Sequence, residues 1–495
     1  TAVLAGLTGI AGIVSVSNAV HINPDNTGQV LLYPYYTTRG DNVTLISVVN
    51  TTEDGKALKV RFIEGVNSRE VRDFNLYLSP FDVWTANISD NGSGGQFTTR
   101  DNSCTAPQFF VPAAGTSAGA LGSDFTNFLF ADADDFGPTG LDRTREGYVE
   151  IIEMGTVTNA TEGSLSAITH TGPDVDANGN IMPADCDQIE SAWINNPPGP
   201  NSYWVADAQT DMAAPTGGLF GDGIVVNVPG ARAFGYNATA LDAFYVPDET
   251  VDVSLHNEPG NTAPDLFSAF PATSNTILAT GSGAPVVVSD TWGAGVQAVT
   301  AVLTTNQVMN QYDVDDATNG QTEWVVTHPT KRFHVFGVAP PIPPFTQPHT
   351  VEQLACEEFD MLIWDRNELE RGTETGTVPP SPNPGDDPDI TQLCFETNVI
   401  SFNDSDERAA AGQSAILGSK LDIGFDVGNV SNIPVPFQSG WGQASFAQTA
   451  VNGTNEYVGL PVIGFGVRTA DNAAINALFG AAFEHAYARV IQAVE

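Results

Sequence analysis

The feature that most constrains this chain is an alternation of period two between positions 29 and 84. Four runs carry it: QVLLYPYYT (29–37), NVTLISVVN (42–50), ALKVRFIE (57–64) and FNLYLSPFDVW (74–84). They are rich in Val, Leu, Tyr and Phe, and short polar turns such as Glu53-Asp54-Gly55 separate them. Side chains of a strand point alternately to its two faces, so these runs predict β-strands. In the third run Leu58, Val60 and Phe62 share one face and Lys59 and Arg61 the other. That is the pattern of a strand with one side on a core and one in water.

Further strands are expected at YVEIIE (148–153), GIVVNV (223–228), VQAVTAVL (296–303), EWVVT (323–327), RFHVFGV (332–338), MLIW (361–364), NVISF (398–402) and LPVIGFGV (460–467). DNAAINALFG (471–480) predicts a short helix, with Asp471 or Asn472 as its cap. The loops between these runs are long and rich in Gly, Asn and Pro, and no repeat of 20–50 residues stands out. The expectation is a mainly β protein of two antiparallel β-sandwich modules, immunoglobulin-like or jelly-roll, with long loops and little helix. The first module would span 20–250. The second would span 251–495 and carry a Pro-rich insertion at 339–390.

The chain has 495 residues, with 18 Lys plus Arg against 59 Asp plus Glu, a formal charge of −41. Nucleic-acid contacts are made by clustered Lys and Arg, so this balance argues against nucleic acid and against an anionic membrane surface. A hydrophobic content of 41% is too high for a disordered acidic chain. A surface this acidic keeps a protein soluble in salt, or it draws divalent cations that relieve its own repulsion.

Residues 1–19, TAVLAGLTGIAGIVSVSNA, are uncharged, apolar and small. They read as a signal-peptide core, with Ser17 and Ala19 placing cleavage before Val20, or else as a retained apolar segment. Four cysteines, Cys104, Cys186, Cys356 and Cys394, contain no CxxC spacing and fit disulfides of an exported protein. Pairing in sequence order, 104 with 186 and 356 with 394, is expected.

The strings YPYYT, SVVNTT, KVRFIEGVNSR, YLSPFDVW and EWVVTHPTKRFHV resemble those of a group of exported, β-rich surface proteins of Gram-negative bacteria to which no activity is assigned. The resemblance implies export and a β-rich fold, and it brings no site residues.

Among candidate sites, DVDANGNIMPAD (174–185) follows the spacing of an EF-hand-type calcium loop. Asp174, Asp176, Asn178, the carbonyl of Asn180 and Asp185 would be the ligands, with Gly179 at the turn. Asp replaces the usual twelfth Glu, and Pro173 and Pro183 exclude a helix–loop–helix frame; the competing reading is a solvated turn rich in Asp and Asn. A second cluster is Asp313, Asp315 and Asp316, with Asn319 and Glu323 nearby. Asp132, Asp134 and Asp135 form a third, and Asp386, Asp387 and Asp389 a fourth in the Pro-rich segment. Gly115-Thr-Ser117-Ala-Gly119 matches GxSxG without the strand–turn–helix context a nucleophile elbow needs. His328 and His334 would lie on neighbouring strands, without a zinc-ligand pattern. Trp84, Trp204, Trp292 and Trp441 could stack on sugars, or simply fill cores.

With no catalytic constellation or cofactor motif, the expectation is a non-enzymatic, secreted or cell-surface structural protein. It would be a self-assembling subunit of a surface layer or filament, stabilised by calcium and disulfides, with other copies of itself as partners. A carbohydrate-binding adhesin that recognises surface glycans is the alternative, and a secreted hydrolase the second.

Overall fold

A computed structural model describes residues 18–109, 121–132, 135–176, 178–194, 202–278, 285–315, 318–351, 354–372, 392–402, 412–425, 427, 437–472 and 477–494. Residues 1–17 of the expected N-terminal signal segment, the Ser117 motif, Asp134, Asp316 and the aspartates at 386–389 lie outside these residues.

The protein is mainly β, 45% strand against 10% helix, in several antiparallel sheets. Sheet I has eight strands. Its path runs His21–Ile22, Thr239–Asp242, Val30–Thr37, Glu146–Val157, Gly55–Glu64, Glu70–Leu78 and Cys104–Ala106, and Met212–Ala213 pairs beside Glu146–Val157. Sheet II orders six strands as Arg232–Asn237, Leu219–Asn227, Asn42–Asn50, Val83–Asp90, Gly95–Thr99 and Leu121–Asp124. One hydrophobic core joins them. Leu58, Val60, Phe62, Phe74 and Ile151 from sheet I meet Ile46, Val48, Trp84, Ile88 and Phe97 from sheet II. Phe62, Phe74 and Phe97 stack with centroids 5.0–5.3 Å apart for the pairs that include Phe97. Each such side chain contributes about 1.5–3 kcal/mol by leaving water.

The second half repeats the layering. Sheet III orders Glu370–Gly372, Asp360–Asp365, Ser439–Ser445, Gln307–Asp313 and Ala486–Ala488; sheet IV orders Asp422–Gly424, Thr397–Ser401, Gln321–Thr327, Phe465–Asn472 and Ala477–Glu484. Tyr312, Met361 and Ile363 of sheet III pack on Trp324, Val326 and Ile400 of sheet IV. The opposite face of sheet IV carries Val325, Val399, Phe465 and Val467 into the core of sheets I and II. Residues on either side of position 250 therefore share one core.

Three local expectations change. The run 296–303 is helical within Gly295–Leu303, because it is wedged against Val30, Leu32, Ile152 and Leu241 on the outer face of sheet I. A helix buried nearly all round shows the same unbroken apolar run as a buried strand. Residues 332–335 make a single helical turn, with the Phe336 amide bonded to the Arg332 carbonyl. The expected helix at 471–480 is instead part of a hairpin in which Asp471 pairs with Leu478 and Phe465 with Glu484. Burial of Phe465 and Val467 overrides the capping signal at Asp471 and Asn472.

The strand Gly55–Glu64 also departs from expectation. It is buried along its whole length, on both faces. Lys59 and Arg61 lie beneath later parts of the chain, and Lys59 Nζ donates to the Glu258 carbonyl at 3.0 Å.

Candidate functional site

The first candidate is the aspartate loop. Its ends are drawn together by a bridge between Val175 and Ile181 and by the Met182 amide, which donates to the Asp174 carbonyl at 3.1 Å. Asp176 is buried and turns inward. Its carboxylate accepts from the amides of Asn178 and Asn180, both at 2.8 Å, and from Asn180 Nδ2 at 2.9 Å. Burial opposes ionisation, yet these donors, the Asn180 side chain foremost, hold the carboxyl below the ordinary aspartate range. Asp185 accepts from the Gln188 amide at 3.0 Å as the N-cap of the helix Cys186–Ser191. Asn178 and Asn180 are exposed. The loop thus closes as an Asx turn, and two of its expected ligands bond to backbone amides. The signal for this was the same Asp-Asn-Gly composition that suggested a metal loop.

Asp313 accepts from the Asp315 amide at 3.1 Å, and Arg366 approaches it at 4.0 Å. Glu323, across the hairpin, points elsewhere. Its carboxylate accepts from the Ile416 and Leu417 amides at 2.7 and 3.0 Å and from Ser414 Oγ at 2.9 Å. Among the described residues, no group of three His, Cys, Asp or Glu is placed to hold a metal ion.

Asp135 belongs to a buried ionic network that Asp132 joins from an exposed position. Arg143 donates to Glu64 at 2.8 and 2.9 Å and to Asp135 at 3.0 Å, and Arg69 donates to Asp135 at 2.9 Å and Asp132 at 3.1 Å. Similar pairs join Arg39 to Glu146 at 2.6 Å, Lys56 to Glu153 at 2.9 Å, Lys59 to Asp73 at 3.0 Å and Arg61 to Glu70 at 2.7 Å. Arg61 also pairs with Glu150.

Among the described residues seven basic side chains are buried, Arg39, Lys56, Lys59, Arg61, Arg69, Arg143 and Lys331, of the 18 in the chain. Thirteen carboxylates are buried with them. The excess is met in two ways. Asp211 accepts from the amides of Thr161, Glu162 and Ser164. At Glu323 and Glu396 burial favours the protonated form, raising them to about 7 and about 8, with Asp422 adding to the first and Lys331 opposing the second. Outside, few cations remain to balance the carboxylates.

His328 and His334 are both buried, and burial lowers them to about 3 and about 4. His328 Nδ1 meets the Pro461 carbonyl at 2.8 Å, and His334 Nε2 meets Thr300 Oγ1 at 2.9 Å. A cleft of about 750 Å³ is lined by Gln209, Tyr245, Asp252, Ser254, His256 and Asn257. Both ring nitrogens of His256 are already bonded, to Tyr77 Oη and the Ala208 carbonyl. Trp84 and Trp204 are core residues, Trp292 is half-buried, and Trp441 is 40% exposed.

The outer face of sheet II stands apart. An antiparallel strand usually shows polar residues to solvent. Here Val43, Leu45, Val49, Val83, Phe220, Ile224 and Val226 point outward, each exposed or half-buried. They sit opposite one another across the ladder: Leu45 with Ile224, Val43 with Val226, and Val49 with Phe220 and Val83. Ser47, Thr85, Asn87, Ser89 and Asp222 share the outward side of these three strands; Asp90 is exposed at the end of Val83–Asp90, and Asp124 is exposed at the edge of the sheet. The sign was visible in NVTLISVVN, which is apolar at both parities and so reads as a strand covered on both faces.

The disulfides Cys104–Cys186 and Cys356–Cys394 form in sequence order. Such bonds persist in oxidising compartments. No helix among the described residues is long and apolar enough to cross a membrane. Comparison with protein-family models, with curated proteins and with solved structures finds no match.

Proposed function

We propose that this chain is an exported, non-enzymatic structural protein of the cell surface that associates with copies of itself through the outer face of sheet II. The observation that carries this reading is the apolar cluster across the three central strands of that face, where Asp222 is the one charge among the outward positions, in a chain of −41. Copies that repel one another over most of their surface approach at least cost where carboxylates are fewest. An open apolar sheet face gains by leaving water there. The disulfides and the resemblance to exported surface proteins support the location.

Calcium takes part in this reading collectively, by bridging and screening carboxylates around the contact, rather than through one cage at 174–185. The test is negative-stain imaging with calcium and after chelation with EDTA. A regular layer or fibre with calcium that disperses in EDTA supports the reading. Single dispersed particles in both conditions overturn it.

A further inference from the structure

Sheet III exposes a different kind of surface. Trp364 and Trp441 are directly opposed on neighbouring strands, and their rings stack with centroids 4.2 Å apart and planes 13° from parallel. The stack covers one face of each ring, yet Trp441 remains 40% exposed. Trp364 is held from its other neighbouring strand as well, its Nε1 donating to Glu370 Oε2 at 3.1 Å. Among the described residues the Trp441 ring NH has no partner. Gln311 lies beside Trp441 on the next strand, and Gln443 lies two residues further along the Trp441 strand, on the same face.

We propose that this face binds neutral glycans, seating the C–H face of a pyranose ring on Trp441. Four observations carry it. The exposed surface of an indole is electron-rich, and it attracts the weakly positive C–H groups of a sugar ring. The stack and the Glu370 bond fix the platform before binding, so little side-chain freedom is lost. The Gln311 amide can donate and accept, as adjacent sugar hydroxyls require; the Gln443 Nε2 donates to Ser445 Oγ at 3.0 Å, which leaves its second N–H and its Oε1 for a sugar, and the Trp441 NH is free to donate. The charge selects neutrality: Asp360 and Glu370 are exposed on this sheet, in a chain of −41, and would repel phosphate, sulfate or uronate groups. The site lies on another sheet from the proposed contact between copies and does not rest on it.

Affinity electrophoresis of the full chain through gels containing soluble β-glucan, xylan or mannan tests it, with dextran sulfate as the anionic control. At least one neutral polysaccharide is expected to retard the native chain, and dextran sulfate is not. Trp441→Ala should weaken the retardation about tenfold or more. Trp441→Phe, which keeps an aromatic face, should retain most of it. Retardation by none of the neutral polysaccharides overturns the proposal, and so does equal retardation of the native chain and Trp441→Ala. If Trp441→Ala changes sedimentation but not retardation, the pair belongs to a contact between copies and the proposal fails. Should Trp441→Ala not fold, Gln443→Ala leaves the stack in place and carries the test: it should weaken retardation severalfold, and unchanged retardation overturns the proposal.

Discussion

Arg143 shows how single residues hold this molecule. Its guanidinium is shared between Glu64 and Asp135, and all three side chains are buried. Replacing it with Met keeps bulk and removes the charge, leaving two buried carboxylates short of a partner. The expected cost is about 3–5 kcal/mol, measured as a lower midpoint in urea unfolding. Glu396 poses the opposite case. Its folded-state value of about 8 lies above the ordinary glutamate value of 4.5, so between the two the folded chain keeps a proton that the unfolded chain releases. That contribution is fully present below the unfolded value and is lost as pH rises through about 8. The buried histidines act on the other side, since their folded values lie below 6.5 and stability falls as pH drops below it. Glu396→Gln should therefore flatten the fall in melting temperature between pH 5 and pH 8 relative to the native chain. An unchanged slope would show that Glu396 is ionised in the fold. Neither role was legible in the sequence. The alternation placed Arg61 and Lys59 opposite the core correctly, but nothing local says that later segments will cover that face.

At the scale of elements, period two in 29–84 was readable because one parity of each run enters the core between sheets I and II, as Leu58, Val60 and Phe62 do. The helix Gly295–Leu303 was not, since packing on nearly every side removes the periodicity that would mark it. The aspartate loop was readable as a turn and over-read as a cage. Its closing residue works as a cap, so Asp185→Ala should lower stability by about 1 kcal/mol, and the loss should be the same with calcium and with EDTA. A loss seen only with calcium would restore Asp185 as a ligand. Next to it, Cys104–Cys186 ties an edge strand of sheet I to the helix that Asp185 caps, across a separation of 82 residues. Closing a loop of that length restricts the unfolded chain most, and the double Cys→Ser variant should lose roughly 4 kcal/mol on unfolding.

At the scale of the whole molecule, the four large sheets are joined through sheet IV, whose Val325, Val399, Phe465 and Val467 enter the core of sheets I and II while Trp324, Val326 and Ile400 enter that of sheet III, in a chain of −41. The outer face of sheet II is the central claim. It was only half legible: the apolar residues at both parities of 42–50 announced two covered faces, and the fold covers one. The direct measurement is sedimentation velocity of the full chain in millimolar calcium, native against Leu45→Asp with Ile224→Asp. Both substituted side chains face solvent, so folding should be little changed, and circular dichroism checks that. The native chain is expected to sediment as assemblies whose size grows with protein concentration, and the double variant as a monomer. A native chain that stays monomeric in calcium at high concentration, or a double variant that assembles as the native chain does, would contradict the account.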